Sequence, residues 1–297
     1  MELFDLSRLS NYYPISPVIE VKEISKGNTS NAKLVVTVDG KYILRKLKDS
    51  TQAITEFLIS RALLKQNISP KILLSNKKQP YIKNNEDVYN LQFYVENDKD
   101  KSKEINFYNL GQTISLFHSN TKSITGIYEQ NDRFSLEKMW MELFQMKEFN
   151  KLEYKNQLVT LIEKCIDYNF KNNCYIHGDL GVWNLLFNQS QIYIIDFGEV
   201  RKGNNHFDIS AVISSTIDWN KDENELITSL TDFRNGYISN FDTFNWIILK
   251  ENFTLWFTRG IIALFINQGI NDRTSSYVKL TMKRKDKLER ILNTNFL

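Results

Sequence analysis

The chain is poor in the residues that staple a fold or bind soft metals. Two cysteines, Cys165 and Cys174, occur in 297 residues. That is too few for a disulfide framework, and they lack the spacing of a zinc site. Both read as small buried hydrophobes in a reducing, cytoplasmic setting. There are three histidines, and none stands in a His-based metal pattern or a Ser-His-Asp order. His118, beside Leu116 and Phe117, reads as a packed helix residue, His177 as a structural hydrogen-bonding residue, and His206 as a surface residue in a polar loop. Excess charge is also missing. A formal net charge of +3 gives no reason to expect nucleic acid. The basic stretch Lys283–Arg290 is interrupted by acidic residues and reads as a solvated helix face. No apolar run is long and clean enough for a membrane span. The longest, Trp246–Ile266, is broken by Lys250, Glu251, Asn252 and Arg259 and suits a buried helix. The first residues show no cationic segment followed by an apolar one, so no signal peptide is expected. Neither an internal repeat nor a long low-complexity tract is visible. The length and ordinary composition fit a two-domain protein with a large core.

What is present sorts into two halves. Val18–Ile24, Lys33–Val38 and Lys41–Leu47 read as strands, the last two joined by Asp39-Gly40, a hairpin signal. Thr51–Lys65 has helical spacing and stops before Asn67 and Pro70. Val88–Val95 alternates as a further strand. Residues 1–96 therefore read as a small antiparallel sheet with one helix, and 97–105 as a polar, charged linker. Residues 106–297 read as a larger, mainly helical part, with helices over 106–118, 136–150 and 156–170. Within it, 184–187 and 191–195 read as short strands.

The chemistry is concentrated between Cys174 and Gly198, which includes His177-Gly178-Asp179, Asn184 and Ile195-Asp196-Phe197-Gly198. Each polar residue alone is an ordinary turn former. Together they supply a carboxylate able to orient a hydroxyl and take its proton, followed by a carboxamide and a carboxylate whose oxygens suit magnesium on a nucleotide. Asp196 ends the apolar run Ile192–Ile195, and a strand end is a rigid place for a metal ligand.

This pattern resembles the aminoglycoside phosphotransferase and choline kinase superfamily, small-molecule kinases with a protein-kinase-like fold. Its members carry His-Gly-Asp, four residues, Asn, and then an Ile-Asp-Phe/Trp-Gly element. The His-Gly-Asp form and the lack of Ala-Pro-Glu set the chain apart from protein kinases. Matches run in order from about residue 20 to about residue 215. They include Gly27–Ala32, Tyr42–Arg45, Thr55–Leu63, Leu110–His118 and Asp208-Ile209-Ser210. The resemblance implies an α+β, bilobal fold and a phosphotransferase that uses ATP (or GTP) and Mg2+ on a hydroxyl of an aminoglycoside, amino alcohol or sugar. It implies Asp179 as catalytic base and Asn184 and Asp196 as metal ligands. Gly27, Thr29, Ser30, Arg45 and Glu56 would bind the nucleotide, with Arg45 and Glu56 as an ion pair. Two positions depart from the pattern: the phosphate loop has one glycine, and Arg45 stands where lysine is usual. On those departures rests an alternative reading, a pseudokinase or nucleotide-binding regulatory module. In the C-terminal part, the aromatics Trp219 and Phe253, with Asp218, Asp222, Glu223, Glu225 and Asp242, suit a cationic acceptor. Trp246, Trp256 and Phe257 read as core.

Overall fold

The computed structural model describes residues 6–24, 32–98 and 104–297. Along these residues run strands β1 (Val18–Glu23), β2 (Ala32–Thr37) and β3 (Lys41–Leu47), helix α1 (Ser50–Leu63), and strands β4 (Ile82–Asn84) and β5 (Asp87–Phe93). Helices α2 (Phe107–Thr121), α3 (Leu136–Phe144) and α4 (Lys155–Ile166) come next, then β6 (Cys174–Ile176), β7 (Leu185–Asn188), β8 (Gln191–Ile194) and β9 (Arg201–Gly203). Four helices follow, α5 (Asn205–Thr216), α6 (Glu223–Tyr237), α7 (Trp246–Gln268) and α8 (Asp272–Asn295). The α+β class expected of the sequence is thus present. The chain divides into two compact units, each built from three segments. The first comprises 1–105, 119–128 and 184–200, and the second 106–118, 129–183 and 201–297.

In the first unit, five antiparallel strands lie in the order β1-β2-β3-β5-β4. Strand alternation assigns the two faces of β3. Tyr42 and Leu44 enter an apolar cluster with Leu9, Tyr13, Val35 and Leu91. Leu47 packs the other way, with Ala53 of α1 and Val88 of β5, and Arg45 shares that face. Helix α1 begins where the Asp49 carboxylate accepts from the Gln52 N–H, an N-cap worth about 1 kcal/mol. The β2–β3 hairpin forms at the expected place. Val36 pairs with Lys41, so the loop is Thr37–Gly40, pinned by the Thr37 hydroxyl on Gly40. Hairpin β7–β8 belongs to this unit. Ile194 N–H donates to Ile68 O at 2.8 Å, and Asp98 N–H donates to Phe187 O at 2.7 Å.

The second unit is held by an apolar cluster drawn from α3, the 3-10 turn after it, α4, α7 and α8, including Leu143, Phe149, Leu158, Ile162, Ile262 and Val278. Helix α7 covers the run expected to be a buried helix, and among the described residues no helix is long and apolar enough to cross a membrane. Helices α2 and α6 touch backbone to backbone at two glycines. A Cβ on Gly111 would sit 2.1 Å from Phe233 O, and one on Gly236 2.0 Å from Tyr108 O. Only glycine permits that approach, which sets Tyr237 against His118.

Several element ends differ from expectation. Helix α3 stops at Phe144, because Met146 is extended and 147–151 continue as a 3-10 turn. Helix α4 ends at Ile166. Strands β4, β6 and β9 have three residues each, too short for a hydrophobic period to show.

His206 requires a larger correction. It is fully buried on α5, not on a polar surface. Its Nδ1–H donates to Asn204 Oδ1 at 2.9 Å, and its Nε2 accepts from the Asn245 N–H at 2.8 Å. The second bond needs a lone pair on Nε2, so the ring must be neutral. Burial, with the nearby His118 ring, pushes its pKa down to about 4. The unfolded chain therefore binds the extra proton first, near pH 6.5. Stability should fall as pH drops from 6.5 toward 4, by about 3 kcal/mol from this residue. Denaturant unfolding across that window checks this, and His206→Gln should flatten the slope. An unchanged slope would refute the account.

Candidate functional site

Each unit carries part of the chemistry foreseen from the sequence. In the first, Arg45 is the junction. Its guanidinium bonds Glu56 Oε2 of α1 at 2.8 Å and Asp196 Oδ1 at 2.5 Å. Glu56 is 1% exposed and is further held by the Gln52 and Asn90 side-chain amides at 2.9 and 3.1 Å. Strand register explains Asn90, which lies directly opposite Arg45 on β5. Burial alone would lower the pKa of Arg45, but Glu56 and Asp196 outweigh it and leave it raised. Burial pushes the Glu56 carboxyl up, against the pull of Arg45. Breaking such a buried pair from one side costs about 3–5 kcal/mol, so the strand, helix and loop are locked through one side chain.

Asp196 follows β8 with a left-handed backbone, φ +65°, uncommon for a residue with a side chain. Asn184 immediately precedes β7, and its carbonyl accepts from the Ile195 N–H at 3.1 Å. The two residues therefore flank the paired ends of one hairpin. A carboxamide oxygen and a carboxylate are both hard-oxygen donors of the kind magnesium takes, and phosphates and water can fill its remaining positions. Among the described residues no group of three or more His, Cys, Asp or Glu forms a protein-only metal cage. Gly27, Thr29 and Ser30 lie outside the described residues.

The second unit holds the loop that bears Asp179, anchored from beneath by Asp208 of α5. Asp208 Oδ2 accepts from the His177 N–H at 2.6 Å and from His118 Nε2 at 3.1 Å, and its Oδ1 accepts from the Gly178 N–H at 3.0 Å. A carboxylate only accepts, so His118 carries its proton on Nε2. Its Nδ1 lies 2.8 Å from the Tyr237 hydroxyl, which accepts from the Asn205 amide at 2.8 Å. Burial would raise the Asp208 pKa, yet the His118 ring and the His177 N–H hold it below the usual carboxylate value. Gly178 has φ +82°, so the sharp turn before Asp179 requires glycine. Asp179 itself is half-buried. Its Oδ2 accepts from the Trp183 indole N–H at 3.4 Å.

The structure thus joins Arg45, Glu56 and Asp196, and sets Asn184 on the hairpin that leads to Asp196. Asp208 proves to be the anchor of the Asp179 loop. Several residues around the candidate acceptor region do structural work instead. Asp222 and Glu225 form the capping box of α6, and Glu223 pairs with Arg290. Trp219 donates to Ser214 O and packs on Phe257. Phe253 is buried. Gln52, Asn90, Tyr237 and Trp183 were not foreseen as parts of these clusters. The opposition of Asn90 to Arg45 depends on strand register, which sequence does not fix. Trp183 sits within the motif itself, and its bulk between Asp179 and Asn184 was the available signal.

A model of the phosphotransferase enzyme family matches residues 20–240. No curated protein matches the sequence. Among solved structures, an amicoumacin kinase in complex with AMP-PNP, Ca2+ and amicoumacin superposes with a TM-score of 0.73 at 15% identity, covering 96% of this chain and 94% of that one. A spectinomycin phosphotransferase bound to ADP and spectinomycin gives 0.68 at 13% identity, covering 99% and 98%. A microcompartment-associated aminopropanol kinase gives 0.66 at 14%, covering 97% of each chain. At these identities the likeness shows the fold.

Proposed function

The chain belongs to the phosphotransferase enzyme family, and on that footing we propose that this small-molecule kinase moves the terminal phosphoryl group of ATP (or GTP) to a hydroxyl of an aminoglycoside, amino alcohol or sugar. The observation that carries this reading is the Glu56–Arg45–Asp196 chain of ion pairs. It fixes a strand cation, able to hold phosphate oxygens in bidentate fashion, next to a carboxylate able to hold a metal. Asn184 and Asp196 would hold magnesium, which when bound neutralises charge on the phosphates. Asp179 accepts the hydrogen bond of the acceptor hydroxyl, orients its oxygen for in-line attack and takes the proton late in the transfer. Amine-bearing acceptors are favoured by the similar folds, whose proteins are named for amicoumacin, spectinomycin and aminopropanol.

The test is a phosphorylation assay with MgATP and MgGTP over those three compounds, choline, ethanolamine, homoserine, kanamycin and simple sugars. Transfer to at least one alcohol is expected. Magnesium-dependent nucleotide binding with no transfer to any of them would favour a nucleotide-binding regulatory module instead.

A further inference from the structure

Trp183 occupies the position just before Asn184, four residues after Asp179. Three observations single it out. Its indole N–H reaches Asp179 Oδ2 at 3.4 Å. The ring nevertheless remains 55% exposed, an unusual state for the largest apolar side chain. Finally, its seat is built into the loop. A Cβ on Gly181 would come within 2.2 Å of the indole carbons, so the ring lies against a residue that must lack a side chain. The loop beneath is fixed by the Gly181 N–H on Asp179 O at 2.9 Å and by the Val182 N–H on Ser215 Oγ at 3.0 Å. The indole is therefore held in place while one of its surfaces stays open to solvent.

We propose that Trp183 is the specificity-determining residue of the acceptor site, positioning the Asp179 carboxylate through its N–H and receiving the acceptor's ammonium group on its open face. The inference rests on the assignment of Asp179 as the group that orients the acceptor hydroxyl. Whatever hydroxyl bonds Asp179 must bring its neighbouring atoms within reach of a ring bonded to the same carboxylate. An indole face is the strongest side-chain partner for a cation. A carboxylate at the ring's edge adds charge–charge attraction for a cation, beyond the hydroxyl hydrogen bond that a neutral polyol can also make. Trp219 cannot serve the same purpose, because Arg284 already lies over its ring.

The probes are choline and its uncharged isostere 3,3-dimethylbutan-1-ol, with binding followed by tryptophan fluorescence in the presence of MgADP. Choline is expected to quench the wild-type signal and to bind roughly tenfold more tightly than the isostere, the scale of a partly desolvated cation–π contact. Trp183→Phe keeps a weaker aromatic face and loses the N–H. Its quench should disappear, and with the best acceptor of the assay above its kcat should fall more than its KM rises. Trp183→Ala should also raise KM and erase the preference for choline. Gly181→Ala, which evicts the ring from its seat, should raise KM in the same direction without touching the acceptor. Equal binding of choline and the isostere, or an unchanged preference in Trp183→Ala, overturns the proposal. The control is Asp179→Asn. If that variant keeps transfer, the underlying assignment fails. If it is inactive while the Trp183 and Gly181 variants behave as wild type, only the role of Trp183 fails.

Discussion

Asp179→Asn is expected to fold and bind nucleotide like the wild type and to lose phosphoryl transfer by about a hundredfold to ten-thousandfold, the range of a positioned general base. The substitution removes charge and basicity but keeps shape. An amide turned to put its Oδ1 where Oδ2 lies can still accept from Trp183, and Asp208 holds the loop backbone through the His177 and Gly178 N–H groups. Melting temperature and nucleotide affinity should therefore stay close to the wild-type values while kcat falls. Wild-type turnover in this variant would remove Asp179 from the role of base.

Asp208→Ala should have a different signature, a loss of stability as well as of rate. One buried carboxylate accepts from two consecutive backbone N–H groups and from His118. Removing it strands three buried donors, at a cost of about 3–5 kcal/mol, which is roughly 6 °C or more in melting temperature. Denaturant unfolding measures the first number and calorimetry the second. The pH dependence has a definite sign. The folded-state pKa of Asp208 is depressed, so its contribution is complete above the unfolded carboxylate value near 4 and is lost as pH falls through the lower folded value. This window lies below that of His206, so Asp208→Ala should change the steepest acid limb and leave the 4–6.5 slope in place. A fully stable variant would mean that the loop has another anchor.

Much of this arrangement was legible beforehand because it depends on local spacing. The β3 alternation placed Arg45 on the same face as Leu47, whereas its pairing with Glu56 was expected from the family resemblance and not from helical spacing, which marked Ile54, Phe57 and Leu58 while the helix buries Ala53, Glu56 and Ile59. Register and long-range closure were not legible in the same way. Nothing near Asn90 says that it lies opposite Arg45, and nothing near Tyr237 says that its hydroxyl closes on a histidine 119 residues earlier. His206 was misplaced for a related reason. Its polar neighbours Asn204 and Asn205 look like loop residues, yet Asn205 buries its amide against Asn173, Tyr237 and Thr243, and the Asn204 side chain accepts from the His206 N–H and ring. Polarity marks the surface only where hydrogen-bonding partners are not waiting inside.

The segmented make-up of the first unit sets a timetable for biosynthesis. A nascent chain that has emerged only to residue 105 lacks 119–128 and the β7–β8 hairpin, both of which belong to that unit. Ile68 O and Asp98 N–H then have no strand to bond. Synthesis of the ninety-five or so residues to position 200 takes about 5–20 s. Over that interval the sheet is an incomplete structure with exposed apolar surface. Folding on the ribosome should therefore couple the two units in time, and chaperone occupancy during translation should persist until Val200 has cleared the exit tunnel.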